Sequence, residues 1–155
     1  MKRFLSVISS MLLALMLAGC STTTMDPAVG KADYQTYIQW VDGIESSMDN
    51  KLADGLSQVG PKNAAEDANL LNNTIEKSLN DVIASGKALN LRHEEVRKLR
   101  DMTIEVLNIY KQVLPAYLLP TEANLKTAEA AQTKLAQLEK EGDALMEKLD
   151  SQFGK

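Results

Sequence analysis

Four stretches of the chain repeat apolar residues at the three- and four-residue spacing of a helix face, and breakers separate them. From about residue 32 to 58, Tyr37, Val41, Ile44, Met48, Leu52 and, just beyond, Val59 recur at intervals of three, four or seven. Gly60 and Pro61 end this segment, and Gly43 and Gly55 each weaken it by up to about 1 kcal/mol relative to alanine. The second segment opens with Asn63 three residues ahead of Glu66, a capping-box pattern. It carries Ala68, Leu71, Ile75, Leu79 and Val82 on one face as far as Gly86, which reads as a C-terminal stop.

The third segment begins near Asn90, with Glu94 and Glu95 placed to favour the positive helix end. Leu99, Met102, Val106, Ile109 and Val113 form its stripe, widened by Val96 and Tyr110. Pro115 has no amide hydrogen to donate and its predecessor avoids helical angles, so a stop or kink is expected near Leu114, with Pro120 closing the turn. The fourth segment starts at a Thr121 cap and runs to about Gln152. In it Ala128, Ala131, Leu135, Leu138, Gly142, Leu145 and Leu149 alternate spacings of three and four, a heptad seam. Gly142 within the seam predicts a close backbone approach or a local weak point.

Such segments cannot bury their stripes alone, and short connections place neighbours side by side. The expected fold is all-α, an antiparallel four-helix up-and-down bundle with helices of roughly 40 Å. A three-helix or elongated coiled-coil arrangement, in which the fourth segment projects or pairs with another copy, is the alternative.

The first twenty residues follow another pattern. Lys2 and Arg3 precede an apolar run over residues 4–17, shorter than the roughly 20 residues a spanning helix needs. Leu17, Ala18, Gly19 and Cys20 come next, and they resemble the lipobox of bacterial lipoproteins at every position. The resemblance covers only this region. It implies cleavage before Cys20, thioether diacylation of that cysteine and, as a rule, a third acyl chain. At about 0.8 kcal/mol per buried CH₂, two or three chains hold a protein on a bilayer permanently. Ser21 stands where an aspartate would mark inner-membrane retention, which implies an outer membrane, with the protein facing the periplasm. The chain then divides into a signal peptide over residues 1–19, a flexible tether over 20–31 rich in small and polar residues, and a helical bundle domain over 32–155.

Removal of Lys2 and Arg3 with the signal leaves 15 basic against 21 acidic residues, a formal charge of about −6. An acidic surface disfavours nucleic acid and anionic headgroups as ligands, because phosphate neutralisation supplies most of such affinity. Cys20 is the single cysteine, so neither an intramolecular disulfide nor a thiolate metal cluster can form.

Catalytic chemistry is short of parts. His93 is the single histidine, and the run from His93 through Arg97 lacks the second histidine of the zinc-binding helix motif. His93 is expected to be solvated near a helix start. Met48, Met102 and Met146 suit core filling better than haem ligation, and the carboxylates, such as Glu122 near Lys126 and Glu94 near Lys98, read as solvated faces. No catalytic residue, metal or cofactor is expected, and the chain is read as no enzyme.

Binding has two candidate surfaces. Tyr117, Leu118 and Leu119 lie in the turn after the third segment, at the end of the bundle away from the anchor, where they either cap the core or touch a partner. Tyr34, Tyr37 and Trp40 lie near the tether and either fill the core or serve an interface. The expected partners are the membrane, through acylated Cys20, and an unidentified envelope protein. The expected role is a membrane-anchored, non-enzymatic lipoprotein that binds that protein through its bundle. An inhibitor or immunity lipoprotein is one alternative; a binder of a small apolar ligand, in room left by Ala128, Ala131 and Gly142, is another.

Overall fold

Asp26 and Pro27 start the first helix by two complementary devices. The Asp26 carboxylate accepts the Ala28 amide N–H at 2.9 Å, and proline at the first helical position gives up an amide that has no partner there in any case. In this computed structural model, which describes residues 26–58 and 64–154, helix α1 therefore spans Pro27–Gln58. Residues 27–31, expected in the tether, are its first turns. Pro27 reads as a breaker in a list of residue types but as a starter when an aspartate precedes it. The signal peptide, Cys20, the remaining tether and the Asn63 cap lie outside the described residues.

Helix α2 spans Ala64–Lys87, α3 Glu94–Leu118 and α4 Glu122–Phe153. Each packs against its neighbour in sequence, α1 also meets α3 and α4, and α2 does not touch α4 among the described residues. This is the all-α, up-and-down four-helix bundle. Its base gathers the start of α1, the α2–α3 turn and the end of α4; its tip holds the α3–α4 turn. No helix of the described residues is long and apolar enough to cross a membrane.

Two apolar clusters hold the bundle. At the base, Tyr34 and Tyr37 of α1, Leu91 of the turn, Val96 and Leu99 of α3 and Leu149 of α4 are buried together. Further up, Ile44, Leu79, Val82, Ile83, Ile104 and Leu107 join α1, α2 and α3 without α4. Full burial of side chains of this size contributes roughly 1.5–3 kcal/mol each.

The expected stop at Gly86 holds to within one residue, α2 ending at Lys87, and Gly86 lies under the Trp40 indole, where a Cβ would sit 2.4 Å from Cζ2. Two local expectations change. Helix α3 begins at Glu94 rather than near Asn90, and it runs through Pro115 to Leu118 instead of stopping near Leu114. Pro115 falls in the last turn and forfeits one hydrogen bond, while buried Val113 and Ala116 beside it hold the helical path. The Leu119 amide then closes the end on the Pro115 carbonyl at 2.8 Å. Gly142 makes no close approach, since the nearest atom to a Cβ there would be Met102 Cε at 3.9 Å. The Thr121 cap forms as expected, its hydroxyl accepting the Asn124 N–H at 3.2 Å.

The two glycines should respond oppositely to alanine. Gly142→Ala gains helix propensity at no steric cost and should raise stability by about 0.5–1 kcal/mol, whereas Gly86→Ala must displace Trp40 and should lower it by about 1–3 kcal/mol. Urea denaturation of the two variants measures both.

Candidate functional site

Asp33, on the second turn of α1, is buried at the base. Its Oδ2 accepts the backbone N–H groups of Arg92 at 2.5 Å and His93 at 2.6 Å. Both donors lie just ahead of α3, whose cap residue His93 makes no side-chain capping bond. One carboxylate thus fixes the α2–α3 turn to α1 and places a negative charge at the positive end of α3. The Arg100 guanidinium reinforces the turn by donating to the Leu89 carbonyl at 3.3 Å.

His93 is not solvated as expected. Its ring meets Phe153 edge to face at 5.3 Å, and its Nδ1 is buried with no hydrogen-bond partner. A Cβ on Gly30 would lie 2.4 Å from Phe153, so glycine is what allows the end of α4 to lie against α1. Among the described residues, no group of three or more histidine, cysteine, aspartate or glutamate side chains is placed to hold a metal.

The aromatic series near the tether belongs to the core and not to an interface. Tyr34 and Tyr37 are buried, with rings stacked at 6.5 Å. Tyr37 shares a 2.9 Å hydrogen bond with Thr103 of α3, and Tyr34 donates to Met146 Sδ of α4 at 3.6 Å. Trp40 donates to Ser85 Oγ at 3.0 Å. Burial pushes both phenols up to about 12; the Asp150 charge adds to the effect on Tyr34, and the Thr103 bond opposes it on Tyr37.

At the tip, the patch expected over residues 115–120 divides. Ala116 is buried, Pro115, Leu118 and Leu119 are half-buried, and Tyr117 is 62% exposed. Asn124, absent from the sequence reading, ties the turn by donating Nδ2 to the Leu119 carbonyl at 2.8 Å. The exposed large apolar side chains among the described residues are Leu70, Tyr117 and Leu125, and all three lie in the halves of their helices away from the base.

This distribution continues a gradient. On α3, Leu99, Val106, Tyr110 and Tyr117 share one face through spacings of seven, four and seven, and they pass from buried through half-buried to exposed. On α4 the seam changes the same way, from buried Leu149 through half-buried Leu145, Leu138 and Leu135 to Leu125 at 47% exposed. Leu125 precedes Ala128 by three and was legible as a seam position. Among the described residues, the contacts of α1 with α4 around Tyr34, Met146 and Phe153 lie at the base. A separate groove of about 600 Å³ opens on the outer side of α3 and α4, lined by Asn108, Ile109, Gln112, Thr127 and Ala131 and bordered by the Glu105–Lys134 ion pair. The room at Ala131 therefore faces outward.

Residues 31–154 match a family model described as uncharacterised lipoprotein PM1805. No curated protein and no solved structure matches the chain.

Two outcomes test the base. Asp33→Ala leaves two buried amides without their acceptor and should cost on the order of 3 kcal/mol in urea denaturation, with Asp33→Asn in between. Buried Tyr34 and Tyr37 hold their protons more tightly folded than unfolded, so the stabilisation they carry is complete below pH 10 and is lost as pH rises towards 12. Thermal midpoints should fall across that window, and Tyr37→Phe should make the fall shallower.

Proposed function

The chain belongs to the family described as uncharacterised lipoprotein PM1805, and from that premise we propose a non-enzymatic envelope lipoprotein that binds another envelope protein at the tip of its bundle. In this reading Cys20 carries a thioether-linked diacylglyceryl group and an amide-linked third chain. Ser21 directs the protein to the outer membrane, where it faces the periplasm. The observation that carries the reading is the position of Tyr117 and Leu125, exposed at the end opposite the anchor while every large apolar side chain described at the base is buried or half-buried. Apolar surface of this kind gains roughly 25 cal/mol per Å² on being covered. A partner that covers it there is reached without bending back to the bilayer.

The non-enzymatic part rests on how the reactive residues are spent. His93 is committed to the α3 start beneath Phe153, and Cys20 is committed to lipid. Half-buried Leu118 and Leu119 support the tip from below, and Tyr117 is the member of the trio offered to a partner.

In-cell capture tests this. A photoreactive residue at Tyr117 should yield one dominant protein adduct, and the same residue at exposed Thr133, in the middle of α4, should not. Equal adduct patterns at both positions, or none at Tyr117 in a folded and anchored protein, would exclude the tip as the binding surface.

A further inference from the structure

Charge is unevenly divided along the bundle. Between residues 87 and 100 stand five cations, Lys87, Arg92, Arg97, Lys98 and Arg100, against Glu94 and Glu95, whereas the rest of the chain from Cys20 onward carries ten against nineteen. All five belong to the end of α2, the turn and the first two turns of α3, so the cationic stretch lies at the base. Arg100 is spent on Asp101 at 2.7 Å and on the Leu89 carbonyl, and Glu95 is spent on Lys148. Lys87, Arg92, Arg97 and Lys98 remain, all exposed, with exposed Glu94 beside them. Side chains of a helix tilt towards its N-terminus, which for α3 is the base, so Arg97 and Lys98 lean to that end. Asp26, Glu147 and Asp150 are the other exposed acids there, and Lys31 and Lys148 stand among them, which leaves the base net positive even with buried Asp33 counted.

The same end is held close to the anchor. Six residues separate Cys20 from Pro27, and at about 3.6 Å per residue even a fully extended chain sets the start of α1 no more than about 25 Å from the acylated cysteine. We infer that the base docks on anionic phospholipid headgroups of the anchoring bilayer through Lys87, Arg92, Arg97 and Lys98, and that the bundle stands upright on them. The inference rests on the reading of Cys20 as the anchor and adds what the base does once anchored. A short leash keeps the cations at high effective concentration over the lipid, so individually weak phosphate contacts suffice. An acidic total disfavours headgroups only where the charge is evenly spread; here the base is drawn to the surface and the acidic flanks are driven off it. A bundle lying flat would bring those flanks against the same phosphates. Upright docking turns Tyr117 away from the bilayer.

The test uses the mature acylated protein in vesicles of phosphatidylcholine, alone or mixed with phosphatidylglycerol. Because Cys20 is the single cysteine and is consumed by lipid, Asn90→Cys in the turn and Thr133→Cys in the middle of α4 each take one fluorescent label. Position 133 stands about 30 Å along α4 from its base end. Energy transfer to a headgroup acceptor reports how near each label comes. Anionic lipid should bring position 90 to the headgroups, with a docking equilibrium at least roughly tenfold above that on phosphatidylcholine, and leave position 133 remote. Lys87→Gln, Arg92→Gln, Arg97→Gln and Lys98→Gln together should erase the difference and leave the thermal midpoint in place. Salt at about 1 M, which shortens screening to about 3 Å, should do the same to the protein without these four changes. An equal signal on both lipids, a preference that survives neutralisation or salt, or position 133 approaching as closely as position 90 overturns the inference. Mass spectrometry of the purified protein separates the two readings. An unacylated Cys20 overturns anchor and docking together, whereas an acylated Cys20 with any of those outcomes overturns the docking alone.

Discussion

The Asp33 carboxylate is the point on which the bundle depends. Four helices joined by short turns can pack in many relative heights, and apolar contacts alone discriminate poorly among them, because sliding one stripe along another exchanges one leucine for the next. A buried charge does not tolerate sliding. It is satisfied only where the Arg92 and His93 amides converge on it, and displacement leaves an anion and two amide donors unpaired in a poorly hydrated place. The height of the α2–α3 turn along α1 is thereby set. The stacking of Tyr34 and Tyr37 against Val96 and Leu99 follows from that height.

From that fixed base the packing loosens upward. Gly30 admits Phe153 and Gly86 admits Trp40, so the lower helices approach closely. Above, the second cluster ties α1, α2 and α3 without α4, and the α4 seam passes from buried Leu149 to exposed Leu125. The buried base, the half-buried middle and the exposed tip are three levels of one gradient.

Periodicity made the helices legible because each carries its own stripe, and the Thr121 cap was legible because cap and recipient are three residues apart. Asp26 with Pro27 was equally local and was obscured by reading proline as a breaker. Pro115 misled because its cost depends on how much helix follows it, which is set by burial of Val113 and Ala116. Asp33 could not have been found from its neighbours, since its donors lie about 60 positions on. Of the tip, Tyr117 was visible as an aromatic in a turn.

The clasp at the base joins the two ends of the domain, with Tyr34 bonded to Met146 at a separation of 112 positions. Synthesis runs from the N-terminus, so Tyr34 is made long before Met146 and Phe153, the residues on which it closes. In the proposed reading acylation at Cys20 needs only residues ahead of α1, whereas closure of the base waits for the end of α4. A polypeptide anchored in that way is held on the bilayer while its helices are still an open string, with apolar stripes to be kept from the lipid and from neighbouring chains. On that reading the order of synthesis makes the molecule an anchored client before it is a folded protein.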